Sequence, residues 1–401
     1  MILSVVFNLL VLGFFKYYNF FADSANNLIK LITGNPVPSF LFPTLSIILP
    51  IGISYYTFKV MSYVFDVYLC KLPAVRSFPD VMLYVSFFPQ ISSGPIVHAA
   101  DFFPQIQPVL DSGNEPGARP IEFDNATLLI LSGLFKKMVF ANFLSTLFVD
   151  PVFSNLAAYH SMEVFLAAVG YAVVIYCDFS GYSDMAIGIA LLLGFHTPKN
   201  FDRPYMSFSI TEFWKRWHIT FSSWLRNYLY FSMGGSRFGL THTLVALFFT
   251  MVLGGLWHGP SYTFLLWGVM QGSALVIERA FNYGNTRNRT PALAGLQIFG
   301  TFLFTVLSWV VFRAGSLKEV GLWFSSLGNF SQNITLLSPM IVVLIILGLG
   351  MHFVPAAVRK TGIKVWTYIP LPFKGIGIAL FFALLSVISM SGVAPFIYFQ
   401  F

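Results

Sequence analysis

Long apolar runs, broken by short polar or glycine- and proline-rich interruptions, make up most of the chain. Stretches near 1–21, 40–58, 126–148, 161–178, 238–256, 261–281, 293–313, 339–354 and 373–396 reach or approach the length a helix needs to cross a bilayer. Shorter or interrupted ones lie at 60–70, 80–97 and 181–195. The pattern predicts an all-α, polytopic integral membrane protein with about 9–11 membrane segments, some broken or re-entrant. The longest polar stretch, around 98–125, leaves no room for a soluble domain, so residues 1–401 read as a single transmembrane domain.

Two segments depart from a plain spanning helix. In DVMLYVSFFPQISSGPIV (80–97), Pro89, Gly94 and Pro95 would free backbone groups that hydrocarbon cannot satisfy. The segment is expected to be re-entrant or buried beside a polar cavity, with a proline-kinked span as the alternative. In SITEFWKRWHITFSSWLRNYLY (209–230), Ser209 and Glu212 stand at capping-box spacing. Trp214, Trp217, Phe221, Trp224 and Tyr228 then form one helical stripe, with Lys215, Ser222 and Arg226 opposite. This predicts an amphipathic helix at the membrane surface, with His218 on the border between its two faces.

Composition agrees with a lipid solvent. The 401 residues are 56% hydrophobic and only 10% charged, with 46 Phe, where soluble domains carry roughly 25% charge. The net charge of +7 comes from basic residues scattered singly or in pairs. That scatter sets topology against lipid and argues against nucleic acid as a partner. The block 197–237 carries Lys199, Arg203, Lys215, Arg216, Arg226 and Arg237 against Asp202 and Glu212. The positive-inside tendency puts it in the cytoplasm, together with Arg279, Arg287 and Arg289 and with Arg359, Lys360 and Lys364. Lys136 and Lys137 sit inside an apolar run and fit no such count. The first residues lack a positive n-region, so the N-terminus is expected to stay in the membrane rather than be cleaved. Cys70 and Cys177 are too few for a disulfide scaffold or a thiolate metal site, and no metal is expected.

Two histidines are candidates for chemistry. His258, in GGLWHGPS, ends a span with few polar residues, and an ionisable group at that depth is costly and usually functional. Gly254, Gly255 and Gly259 leave room for close backbone approach or for a ligand, and Pro260 ends the helix. His218 is the second. A third cluster, CDFSGYSDMA, places Asp178, Ser180, Tyr182, Ser183 and Asp184 between two apolar runs, either as a polar pocket or as an ordinary surface loop. The chain has no G-x-S-x-G elbow, P-loop, H-E-x-x-H or G-x-G-x-x-G, which removes support for nucleotide hydrolysis and metalloprotease chemistry.

Taken in order, PIGISYYTFKVMSYVFDVY, FFPQISSGPIV, DFSGYSDMAIGIALLLGF, NFDRPYMSFSITEFWKRWHITFSSWLRNYLY, LGGLWHGPSYTFLLWG and PFIYFQF resemble the membrane-bound O-acyltransferases. They are most similar to the bacterial branch that O-acetylates alginate and peptidoglycan. The resemblance implies a ring of tilted helices around a funnel or tunnel, with His258 catalytic and His218 as the family's other histidine. It implies an acyl donor, acetyl-coenzyme A or a related cytoplasmic thioester, with no bound cofactor. The acceptor would be an exported polysaccharide, served through an extracytoplasmic acetyltransferase partner at a bacterial inner membrane. Asp178, Tyr182, Trp217, Arg216 and Arg226 are then expected to line the cavity or hold donor phosphates. Alginate-type members usually carry further hydrophobic segments ahead of the stretch like Val11 to Phe21. Here either the branch is shorter or the N-terminus is incomplete.

The implied reaction is acyl transfer to a hydroxyl, with a neutral His258 as general base or as nucleophile. It predicts that His258 lines a wet passage reachable from both sides of the membrane. The rival reading is a transporter or flippase for a lipid-linked or acyl intermediate, which would show matching broken segments in two halves. A purely structural subunit of an export complex is a third.

Overall fold

The computed structural model describes residues 1–35, 41–111, 121–281 and 290–388, and among them every regular element is helical. Arg287, Arg289, the end of the expected span 373–396 and the final PFIYFQF lie outside the described residues.

Five helices are long and apolar enough to cross a membrane: Ile2–Thr33, Phe123–Ser154, Ser161–Leu192, Leu240–His258 and Pro291–Arg313. A sixth is counted if Lys360–Tyr368 and Leu371–Val387, bent by 120°, are one broken span. The protein is a multi-pass membrane protein. The remaining apolar stretches are shorter or more polar helices, among them Ile53–Tyr68, Tyr262–Ala280 and Pro339–Gly350. Two expected segments, 161–178 and 181–195, are one continuous helix through CDFSGYSDMA.

That helix, Ser161–Leu192, is the centre of the bundle and is buried over most of its length. It runs antiparallel to Phe123–Ser154, with Gly133 against Gly181 and Ala126 against Gly188 at one end and Val149 against Gly170 at the other. The lysines that defied a topology count explain why the helix does not break. Lys137 meets Asp178 at 2.5 Å and Lys136 meets Asp184 at 2.6 Å. A wide turn of π type over Lys136–Ala141 presents both cations to the neighbour. CDFSGYSDMA is therefore neither a surface loop nor an open pocket, since charge inside a bundle pairs rather than ending the helix.

The 80–97 segment is buried at Tyr84, Phe87, Pro89, Gln90 and from Ser93 to Val97, while Met82, Leu83, Phe88 and Ile91 are exposed. Helix Phe78–Ser86 ends before Pro89, and the chain continues without spanning. Tyr84 Oη there donates to the Val97 carbonyl at 2.9 Å.

The amphipathic surface helix expected at 209–230 is corrected in continuity and in depth. It is two short helices, Ile210–Arg216 and Ile219–Trp224, the second running on as a wide turn over Leu225–Tyr230. The break is His218, whose backbone is left-handed at φ 42°. The aromatic stripe is buried in protein, not laid on lipid: Trp217, Phe221, Trp224 and Tyr228 are all core residues. The helix start was legible, because Ser209 Oγ does accept from the Glu212 N–H at 3.1 Å.

Candidate functional site

Tryptophan, phenylalanine and histidine rings gather where Leu240–His258 ends. Its antiparallel partner Tyr262–Ala280 packs closely because glycines face each other: a Cβ built on Gly255 would stand 2.4 Å from the Phe264 carbonyl oxygen and 2.9 Å from the Gly268 Cα. Gly255 and Gly259 thus serve close approach and leave no ligand space beside them. The helix stops at His258 because Gly259 is extended and Pro260 has no N–H.

His258 is 5% exposed. Its ring centroid lies 5.1 Å from Trp257, 5.2 Å from Trp267, 5.2 Å from Phe312 and 5.4 Å from Phe221. Among the described residues aromatic side chains wall the ring, in place of the wet passage expected there, and it lines neither of the two cavities described below.

His218 is brought to the same place from the other side, with its ring 4.9 Å from Phe221 and 6.5 Å from Trp257. Phe221 therefore lies against both imidazoles. The orientation of His218 is set by Asn200, whose side-chain oxygen lies 3.1 Å from His218 Nδ1. That oxygen also accepts from Thr220 Oγ1 at 2.9 Å and from the Thr220 N–H at 3.3 Å, while Asn200 Nδ2 donates to Ser183 Oγ at 3.1 Å. Because the Thr220 backbone can only donate, the Asn200 oxygen is the acceptor and His218 Nδ1 carries the hydrogen. The lone pair of His218 is then at Nε2, which is buried and makes no hydrogen bond among the described residues. The Asn200 carbonyl accepts from the Ile219 N–H at 2.9 Å, which holds the left-handed turn at His218. Strain of this kind is kept where it has a task.

A cavity of about 1090 Å³ opens beside the site, between Ile210–Tyr230 and the Leu240–His258 and Tyr262–Ala280 pair. Its walls include Lys215, Ser222 and Arg226, the polar side read from the sequence stripe, together with Arg279, Glu212 and Glu278. Both carboxylates are engaged: Glu212 with Arg216 at 2.6 Å, and Glu278 with the N–H groups of Ile210 and Thr211 at 2.5 and 2.8 Å. Lys215, Arg226 and Arg279 leave the cavity positive. Leu225, Thr250 and Met251 also line it. Met251 is seven residues before His258, about 10 Å along the helix. Leu225 and Phe221 both pack at Gly254, where a built Cβ would stand 3.0 and 3.7 Å from them, and Phe221 lies against the imidazole.

A second cavity, about 390 Å³, lies at the other end of the bundle around Arg313, Asp150, Glu319 and Trp323. Arg313 bonds Asp150 at 2.6 Å and rests over the ring of Phe153 at 4.6 Å.

The remaining expected site residues divide. Arg226 lines the large cavity. Arg216 turns away, bonding Glu212 and the Asp202 carbonyl. Burial alone would raise the Asp202 carboxyl, but the hydrogen bond from Lys199 and the charges of Lys199, Arg203 and Arg216 outweigh it and hold it below the usual carboxylate range. Trp217 is a core residue, 4.9 Å from Trp309. Asp178 is ion-paired with Lys137, and Tyr182 meets Ser92 at 3.0 Å. These last three line neither cavity. Sequence reasoning missed Asn200, which sits in an irregular stretch with no periodicity to mark it. It also missed Lys16, an ionisable residue inside an apolar run. Among the described residues no group of His, Cys, Asp and Glu could hold a metal ion.

Comparison with known proteins places this architecture. Residues 54–314 match the family model of the membrane-bound O-acyltransferases. A probable alginate O-acetylase of Pseudomonas aeruginosa is 41% identical over 82% of the chain, though the match spans only 60% of that relative's length. A second, from Pseudomonas putida, is 34% identical over the whole chain and 84% of its own length. A peptidoglycan O-acetyltransferase of Helicobacter pylori is 34% identical over 80% of the chain and 62% of its own. The chain belongs to the membrane-bound O-acyltransferase family.

Proposed function

We propose that this protein transfers an acyl group, acetyl by analogy with its relatives, from a thioester donor to a hydroxyl of an exported polysaccharide, with the chemistry at His258 and His218. The observation that carries this is the convergence of the two imidazoles on Phe221, one of them at the end of the helix Leu240–His258 that also walls a positively charged cavity through Leu247, Thr250 and Met251. Lys215, Arg226 and Arg279 suit the phosphates of a donor such as acetyl-coenzyme A. A flexible thioester arm is needed to cover the remaining distance to His258, past Leu225 and Phe221. Access to His258 therefore requires Leu225 and Phe221, which pack at Gly254, to move.

In the transfer, the acceptor oxygen attacks the thioester carbonyl while an imidazole nitrogen takes the hydroxyl proton. The tetrahedral intermediate collapses, the C–S bond breaks, and the imidazolium returns its proton to the departing thiolate. Ester and free thiol are the products. An acetylated His258 is the two-step form of the same balance. His218, with its lone pair at Nε2, acts as an acceptor toward substrate. The basic face is assigned to the cytoplasm, and the acceptor approaches from the opposite side of a bacterial inner membrane, through an extracytoplasmic acetyltransferase partner.

The test is release of free thiol from acetyl-coenzyme A by purified protein in detergent, with a polysaccharide acceptor and the partner enzyme present. His258→Ala is expected to lower turnover by a factor of about 10²–10⁴, the usual contribution of a general base. No turnover by the unaltered protein, as a transporter would give, or full turnover by the variant, rejects the proposal.

A further inference from the structure

Lys16 lies in the middle of the apolar helix Ile2–Thr33, at a wide turn over Gly13–Tyr17 that aims it and Tyr17 inward. Its ammonium donates to the Trp257 carbonyl at 2.8 Å, the His258 carbonyl at 3.0 Å and Ser54 Oγ at 3.2 Å. Tyr17 Oη donates to the Leu256 carbonyl at 2.6 Å. Three successive carbonyls at the end of the histidine-bearing helix, which have no partner within that helix, are thus held by two side chains of one turn.

We propose that Lys16, with Tyr17, is a positioning residue for His258: it fixes the main chain on which the imidazole is mounted. The inference rests on the acyl-transfer reading above. An ammonium has three donors, and all three are taken, so Lys16 acts through the histidine's backbone rather than on the substrate. Anchoring the first helix does not by itself call for a charge. A buried cation is a costly way to join two elements, and apolar packing of similar volume does as well or better. The rest of this helix makes little use of such packing, since Leu12 and Ala22 are its only buried hydrophobic side chains. What the ammonium does that a methyl group cannot is hold carbonyl oxygens at fixed distances beside the reacting ring. Lys16 also lies outside the residues that match the family model.

The test compares Lys16→Met, Lys16→Arg, Tyr17→Phe and, as a control on the exposed side of the same helix, Lys30→Met. Thiol release gives kcat and KM, and hydrogen exchange is followed over residues 254–262. Lys16→Met is expected to lower kcat by about 100-fold, the usual effect of a small misplacement at a reacting centre, with KM for the donor unchanged. Exchange at 254–262 is expected to quicken, while the 161–192 helix keeps its protection. Lys16→Arg should recover part of the loss, Tyr17→Phe should show a smaller fall in kcat alone, and Lys30→Met should match the unaltered protein. If Lys16→Met does not accumulate folded, the Arg and Phe variants give the same reading. Unchanged kcat and unchanged exchange in the folded variants overturn the proposal. Full turnover by His258→Ala would instead remove the acyl-transfer reading, and the exchange measurement would still report whether Lys16 holds the residue 258 backbone.

Discussion

A single carboxamide, that of Asn200, collects three donors on one oxygen and so settles the tautomer of His218, while the Asn200 main-chain carbonyl holds the turn through the Ile219 N–H. Asn200→Ala leaves the Thr220 N–H and the imidazole N–H without a partner inside protein, at a cost of about 1–3 kcal/mol for each unpaired group. The expected outcome is a lower unfolding midpoint in detergent together with reduced thiol release. An unchanged midpoint would show that Asn200 does not hold His218. Little of this arrangement was legible beforehand. The two histidines stood out as candidates, His258 for its depth at the end of an apolar span and His218 for its place on the border of the aromatic stripe. Their common neighbour Phe221 read as one more ring in a stripe. Asn200 is 18 residues from His218 in irregular chain, where no spacing rule connects them. Lys16 carried the same signal as His258, a charge within a span, and the same argument applied to it finds it.

At the scale of elements, the apolar pattern located helices well but judged their continuity by polarity, which misled it twice. Asp178 and Asp184 looked like an interruption; they are the halves of two ion pairs whose cations belong to the neighbouring helix. Conversely, the stripe from Trp214 to Tyr228 looked continuous, yet His218 breaks it, because a left-handed residue leaves no mark in hydrophobic periodicity. Asp178→Asn is expected to destabilise the protein by about 3–5 kcal/mol, because it strands the Lys137 charge among buried groups. Adding Lys137→Met should recover much of that loss, and melting of the single and double variants in detergent checks both. The glycine contact gives a second expectation. In Gly255→Ala the new methyl meets backbone atoms of Tyr262–Ala280 that cannot rotate away. The two helices must part, costing about 1–3 kcal/mol, and His258 shifts with the helix end. The same melting experiment, paired with thiol release, reads both effects; a variant with normal stability and normal turnover would show that the close approach is not needed.

For the molecule as a whole, the proposed acyl transfer separates charge and chemistry along the bundle. Lys215, Arg226 and Arg279 line a cavity at one end, and the histidine helix carries its imidazole toward the other. A donor held by phosphate contacts at the first place and reacting at the second couples binding to charge and turnover to the histidines. The two should therefore separate in mutants. Reversing Lys215 and Arg226 together to Glu removes two favourable contacts of about 1 kcal/mol each, the upper range for partly exposed pairs, and is expected to raise the donor KM by at least tenfold. The maximal rate should stay near that of the unaltered protein, because neither side chain reaches the imidazoles. Salt supplies an independent check. Raising ionic strength shortens the range over which solvent-exposed charges attract a phosphate, so the unaltered protein should lose donor affinity from 0.05 to 0.5 M salt while the double variant, with that attraction gone, should not. A donor KM that ignores both the reversals and the salt would mean that the thioester enters elsewhere, and the cationic cavity would lose its assigned role while His258 kept its own.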